Sequence, residues 1–126
     1  MWKVIIAIRL AMHGLGHSAG LFSGMIKANN GIVLLGKYVN EPVIKWLGIA
    51  LWLVALVLYV AAIMGIYNVI VPNDWWSPLL ITASIVSITV ILIWWKAFPV
   101  WGPLIADVVI LIGVFVLRSK ITEILS

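Results

Sequence analysis

Cysteine is missing from this chain, and charge is scarce. The first absence excludes disulfides, thiolate metal ligands and a cysteine nucleophile. Charged residues make up 10% of the sequence and hydrophobic ones 65%, against about 25% charged and about 45–50% apolar in a soluble domain. Such a chain has too little polar surface to face water. Its net charge of +4 is not a nucleic-acid signal, because the lysines stand between apolar runs, at the level of lipid headgroups. Lipid is the expected partner and nucleic acid is not. Hydrolytic signatures are missing too: no Gly-x-Ser-x-Gly elbow, no His-Glu-x-x-His and no phosphate-cradling glycine loop. His13-Gly-Leu-Gly-His17 lacks the glutamate of the zinc-protease motif. No catalytic activity of the chain on its own is expected.

What is present is a series of long apolar runs. About 20 such residues cross a bilayer, and four runs of that order predict helices over 2–25, 44–71, 78–97 and 103–119. The expected fold is all-α: one domain over 1–126, a four-helix transmembrane bundle with a short interfacial segment, 32–45, between helices 1 and 2. Pro42 suits the first turn of the second helix, Ser77 reads as the N-cap of the third and Pro78 as its first residue. Lys3 followed by an apolar stretch imitates a signal peptide. Arg9, His13 and His17 interrupt that stretch, so it reads as a retained spanning helix. Trp2, Trp75 and Trp76 fall on one predicted boundary and Trp46, Trp94, Trp95 and Trp101 on the other, as two aromatic belts require. The layout puts both termini on one side of a cell membrane, and the lysine and arginine counts of the two faces nearly tie.

The first helix carries the chemistry. Arg9, His13 and His17 are spaced four apart and share a face. Gly16, Gly20 and Gly24 repeat at the same spacing and read as packing residues, as does Gly48 on the second helix. Gly48, Trp52, Ala55, Tyr59, Ala62 and Ile66 form the inward stripe of the second helix, and Tyr59 brings a hydroxyl that needs a partner near mid-membrane. Ser84, Ser87, Ile91, Trp94 and Trp95 share a face of the third helix. Asp107 lies early in the fourth. A rise of about 1.5 Å per residue puts His13 near the middle of the slab and His17 and Asp107 at similar depth. One of the two histidines is therefore the expected partner of Asp107, while Arg9 reaches back toward its own boundary.

Ionisable groups at this depth suggest function, and three functional readings fit them. The first is a metal or haem site: His13, His17 and Asp107 form a three-ligand set. Two histidines one turn apart cannot be opposite axial ligands of a single haem, so one haem ligand would come from elsewhere, such as Met12 or Met64. The second is a proton or ion relay through Arg9, His13, His17 and Asp107. The third is a pocket for an apolar, quinone-like or amphipathic molecule, oriented by Tyr59 and the serines. The plain alternative is that both histidines hydrogen-bond between helices and hold the bundle together.

Met12-His-Gly-Leu-Gly-His-Ser-Ala-Gly-Leu-Phe22 resembles the HGLxHxxGF signature in the first helix of small four-helix membrane proteins of the DoxX-like group. Trp95-Lys-Ala-Phe, Gly102 and the run from Ile105 to Gly113 are similar to a later conserved region of those proteins, with Asp107 near their usual asparagine. The resemblance implies four crossings with both termini in the cytoplasm. It also implies an accessory role, because some members are similar to subunits of sulfur-oxidising or respiratory membrane complexes. The expectation is thus a non-catalytic accessory or structural subunit, partnered by other membrane-protein subunits or by copies of itself. The alternatives are a binding protein for a metal, haem or quinone-like ligand at the His13/His17/Asp107 face, and an oligomeric proton or ion conduit.

Overall fold

A computed structural model of the chain describes residues 1–26, 41–93 and 101–125, excluding the side chains of 17–26, 41, 44, 45 and 125. Within these residues the chain is helical and has no strand. Helix α1 is Trp2–Ile26, α2 is Glu41–Ile66, α3 is Trp76–Ile93 and α4 is Trp101–Leu125, with a 3₁₀ turn at Asn73–Trp75. Most of the expected interfacial segment lies outside the described residues, and its end, from Glu41 on, is already the first turn of α2.

Each helix packs chiefly on its neighbours in sequence. The stripe expected on α2 is the buried one: Gly48, Trp52, Ala55, Tyr59, Ala62 and Ile66 all face inward. On α3 the buried face includes Leu80, Ala83, Ser84, Ser87, Val90 and Ile91. Leu10, Tyr59, Ala62, Ile66, Trp76, Leu80, Ala83 and Val114 form the central apolar cluster, so all four helices meet there. Small side chains set the spacing. A Cβ on Gly14 would lie 3.1 Å from the Cβ of Tyr59, and one on Gly65 would lie 3.1 Å from the backbone nitrogen of Trp76. The first contact brings α1 onto α2 and the second brings α2 onto the start of α3. The fourth side of the ring is different, because α1 and α4 touch only sparsely.

Among the boundaries that differ from expectation, three have a local reason. Helix α2 stops at Ile66 and not near Val71. Asn73 folds back, its Nδ2 donating to the carbonyls of Gly65 (3.1 Å) and Ile66 (3.5 Å), while the Asn68 Oδ1 accepts from the Asn73 amide. The turn puts Asn68 (φ 52°) and Ile70 (φ 64°) in the left-handed region. Asparagine tolerates that region, and a β-branched residue is strained there. Helix α3 begins at Trp76, directly after the 3₁₀ turn, so Ser77 is no cap. It lies buried inside the first turn, and its Oγ has no hydrogen-bond partner among the described residues. Helix α4 runs on past 119 to Leu125, since no proline or glycine follows Gly113.

The tryptophans also divide differently. Trp2, Trp46, Trp75 and Trp101 are exposed, but Trp76 is buried with Trp52. Trp76 is thus a packing residue against Gly65 and not part of a belt. Trp94 and Trp95 lie outside the described residues.

Two stretches, Trp46–Ile66 and Asn73–Ile93, are long and apolar enough to cross a membrane, with hydropathies of 2.7 and 2.1. The exterior is rich in large apolar side chains, among them Val57, Ile105, Val109, Ile112, Phe115 and Val116. Thr82 and Thr89 face outward, and each donates its hydroxyl to a carbonyl of its own helix, at Pro78 (2.8 Å) and Ile85 (2.9 Å).

Two substitutions test this packing. Gly65→Ala pushes a methyl group into α3 backbone and should lower stability by about 1–3 kcal/mol. Ser77→Ala removes an orphaned buried hydroxyl and should raise stability by up to about 1 kcal/mol. Thermal unfolding of both variants in one detergent reads the two opposite signs.

Candidate functional site

The polar residues of the interior converge on one carboxylate. Asp107 comes from α4 and is fully buried, as are Tyr59 on α2 and Ser84 and Ser87 on α3. His13 on α1 is nearly so, its side chain 13% exposed. The Tyr59 hydroxyl donates to Oδ1 of Asp107 at 2.5 Å, and His13 Nε2 lies 2.9 Å from the same oxygen. The Ser87 hydroxyl donates to Oδ2. With its proton given to Asp107, Tyr59 accepts from Ser84 at 3.2 Å. The His13 ring stands edge-on to the Tyr59 ring, with centroids 5.1 Å apart and planes at 83°.

The sequence places each group for a local reason. Tyr59 lies on the small-residue stripe of α2 between Ala55 and Ala62, and Gly14 leaves room for its ring beside α1. Ser84 and Ser87 are three apart, so they share the face of α3 that meets α2 and α4. Asp107 and Val114 are the buried residues of α4, seven apart, with Ile110 between them partly buried. A carboxylate has about four acceptor sites, and Tyr59, Ser87 and His13 fill three of them. That satisfaction makes a buried carboxylate tolerable, because an unpaired one costs several kcal/mol.

A cleft opens beside this centre, along the sparse seam between α1 and α4. Its volume is about 1000 Å³, at the upper end for small-molecule sites. Its walls are mostly apolar: Ile5, Ile8, Leu10 and Met12 from α1, Ile105, Val109, Ile110 and Val114 from α4, and Trp76 and Leu80 behind. Among the described residues, Arg9 and His13 are the basic groups on its lining, and no carboxylate lines it. His13 therefore borders the cleft on one side and Asp107 on the other.

Of the site residues expected from sequence, His13, Tyr59 and Asp107 are brought into direct contact. His13 is the histidine on Asp107, while the side chain of His17 lies outside the described residues. Arg9 is exposed on the cleft wall and makes no ion pair with Asp107 or any other carboxylate among the described residues. No group of three or more histidine, cysteine, aspartate or glutamate residues suited to a metal occurs among the described residues, so a metal set of His13 and Asp107 would require His17. Gly16 is exposed, and a Cβ there meets no described neighbour within 4 Å; the close approach of α1 falls at Gly14, two residues earlier. The side-chain sites at Gly20 and Gly24 lie outside the described residues, and Gly48 is buried. Gly14 stands outside the regular Gly16–Gly20–Gly24 spacing, so no periodicity marks it in the sequence.

Removing the acceptor leaves Tyr59, Ser87 and His13 without it. Asp107→Ala should lower stability by about 3–5 kcal/mol, and Asp107→Asn by less because one oxygen remains. The Tyr59→Phe and Ser87→Ala pair should show a coupling of about 0.5–3 kcal/mol in a double-mutant cycle. Unfolding in detergent measures both. No protein-family model, curated protein or solved structure matches this chain.

Proposed function

We propose that this is a small multi-pass membrane protein that binds an amphipathic small molecule in the cleft between α1 and α4. The observation that carries the reading is the cleft itself: about 1000 Å³, walled by apolar side chains, with Arg9 and His13 as its basic groups. A pocket that is mostly apolar with a few placed polar groups is the usual form of a small-molecule site. His13 is the orienting contact, and its ring is held by Asp107 and Tyr59. Four crossings account for the apolar exterior, and they add α1 and α4, of 25 residues each, to the two strongly apolar stretches. A helix of that length spans about 37 Å, more than the ~30 Å hydrocarbon core. Even crossings put both termini on one side; the DoxX-like resemblance favours the cytoplasm.

The accessory-subunit reading draws on the same sparse seam. In that case a helix of a partner subunit lies along α4 and fills the cleft from outside.

Two measurements test the proposal. The protein should stay in membranes washed at high pH; release into the wash would end the membrane reading. An apolar environment-sensitive dye should bind the purified protein at one copy per chain. Gly113→Leu adds a side chain to the cleft wall where a Cβ meets no described neighbour within 4 Å, and should weaken that binding at least fivefold. Undiminished binding in the Gly113→Leu protein would remove the cleft as the site. Co-purification of a stoichiometric partner that Gly113→Leu releases would favour the accessory-subunit reading instead.

A further inference from the structure

We infer that the cleft takes an acidic membrane lipid, with its anionic head on Arg9 and a hydrocarbon tail along the α1–α4 seam. The inference rests on the cleft being a ligand site and names the class of ligand. Its basis is charge complementarity. Among the described residues, Arg9 stands on the wall of the cleft without an ion pair, and no acid lines the cleft. The other basic group, His13, is already committed to Asp107. An arginine left on an apolar wall is costly unless it reaches the interface or meets an anion. A guanidinium presents a planar fork of donors that matches phosphate and carboxylate oxygens.

The geometry gives the lipid a direction. Side chains on a helix tilt toward its N-terminus, so Arg9 reaches back toward the Trp2 end of α1, the end where a headgroup belongs. The apolar wall runs past Arg9 in both directions: toward the Trp2 end through Ile5, Ile6 and Ile121, and beyond His13 the other way, where the tail lies. His13 lies one turn, about 6 Å, beyond Arg9. Its contact with Asp107 fixes the level of α4, which runs antiparallel: Leu10 and Val114 share the core cluster, and His13 meets Asp107. Gly102, also on the cleft lining, lies five residues before Asp107, about 7.5 Å further along. The wall from Arg9 to Gly102 thus extends about 13 Å, close to the ~15 Å hydrocarbon depth of one leaflet. Ile105, Ala106 and Val109 cover it on the α4 side without a charge.

The test is a lipid titration of the delipidated full-length protein, followed by native mass measurement in a non-ionic detergent. Phosphatidylglycerol, with a net negative head, should bind at least fivefold more tightly than phosphatidylcholine, whose head is neutral overall. Arg9→Gln should abolish that preference, and Arg9→Lys should keep part of it. Arg118→Gln changes an exposed arginine outside the cleft lining and should leave the preference intact, which excludes an effect of overall charge. Excess inorganic phosphate should not displace the lipid, because the tail contributes to binding. Gly113→Leu should weaken binding of both lipids. Equal affinity for the two lipids, or a preference that survives Arg9→Gln, overturns the inference. So does displacement by inorganic phosphate alone, or a second copy of the chain held in the cleft in place of lipid. If the neutral dye still binds in a Gly113-dependent way while Arg9 has no effect, the acidic head is wrong and the ligand site stands. If Gly113→Leu changes neither dye nor lipid binding, both fall together.

Discussion

A carboxylate deep in an apolar bundle is the constraint on which the rest of this structure depends. Stripped of water, Asp107 needs donors, and no single helix supplies them. Tyr59 comes from α2, Ser87 from α3 and His13 from α1, so the acid is satisfied only when all four helices are assembled in one register. A shift of α4 by one residue would carry Asp107 about 100° around the helix axis, away from these partners. The polar centre therefore specifies an arrangement that the surrounding leucines, isoleucines and valines would hold only loosely.

Packing does the remainder. Close contact between these helices comes from small residues. Gly14 against Tyr59 and Gly65 against the Trp76 backbone are two such close approaches, and Ala55, Ala62 and Ala83 are fully buried on the same helices' inner faces. The outward threonines need no outside partner. Thr82 and Thr89 satisfy their hydroxyls on their own helices and so ask nothing of the solvent around them.

Much of this was legible in the sequence, and the exceptions have physical causes. The inward stripe of α2 was readable from its three-and-four spacing, and the meeting of a histidine with Asp107 from helix rise alone. Which histidine was not, since His13 and His17 differ by a single turn and depth estimates blur over that distance. The end of α2 at Ile66 was hidden because the stop is made by Asn73, seven residues later, folding back onto the last carbonyls. Trp76 passed for a belt residue by type, yet it packs on Gly65, a contact between two helices that spacing within either one cannot reveal. The cleft could not be foreseen at all: it arises from how little α1 and α4 touch, a property of four helices together.

That sparse seam has a mechanical consequence. Helix α4 meets α1 at two levels, the Asp107–His13 contact and the apolar cluster that holds Leu10 and Val114, while its other flank rests on α3. It is pinned along its middle, and the lateral opening lies beside the pin. The opening and the polar centre are therefore separate features, and the slot can be filled or emptied from the side while the carboxylate keeps every partner.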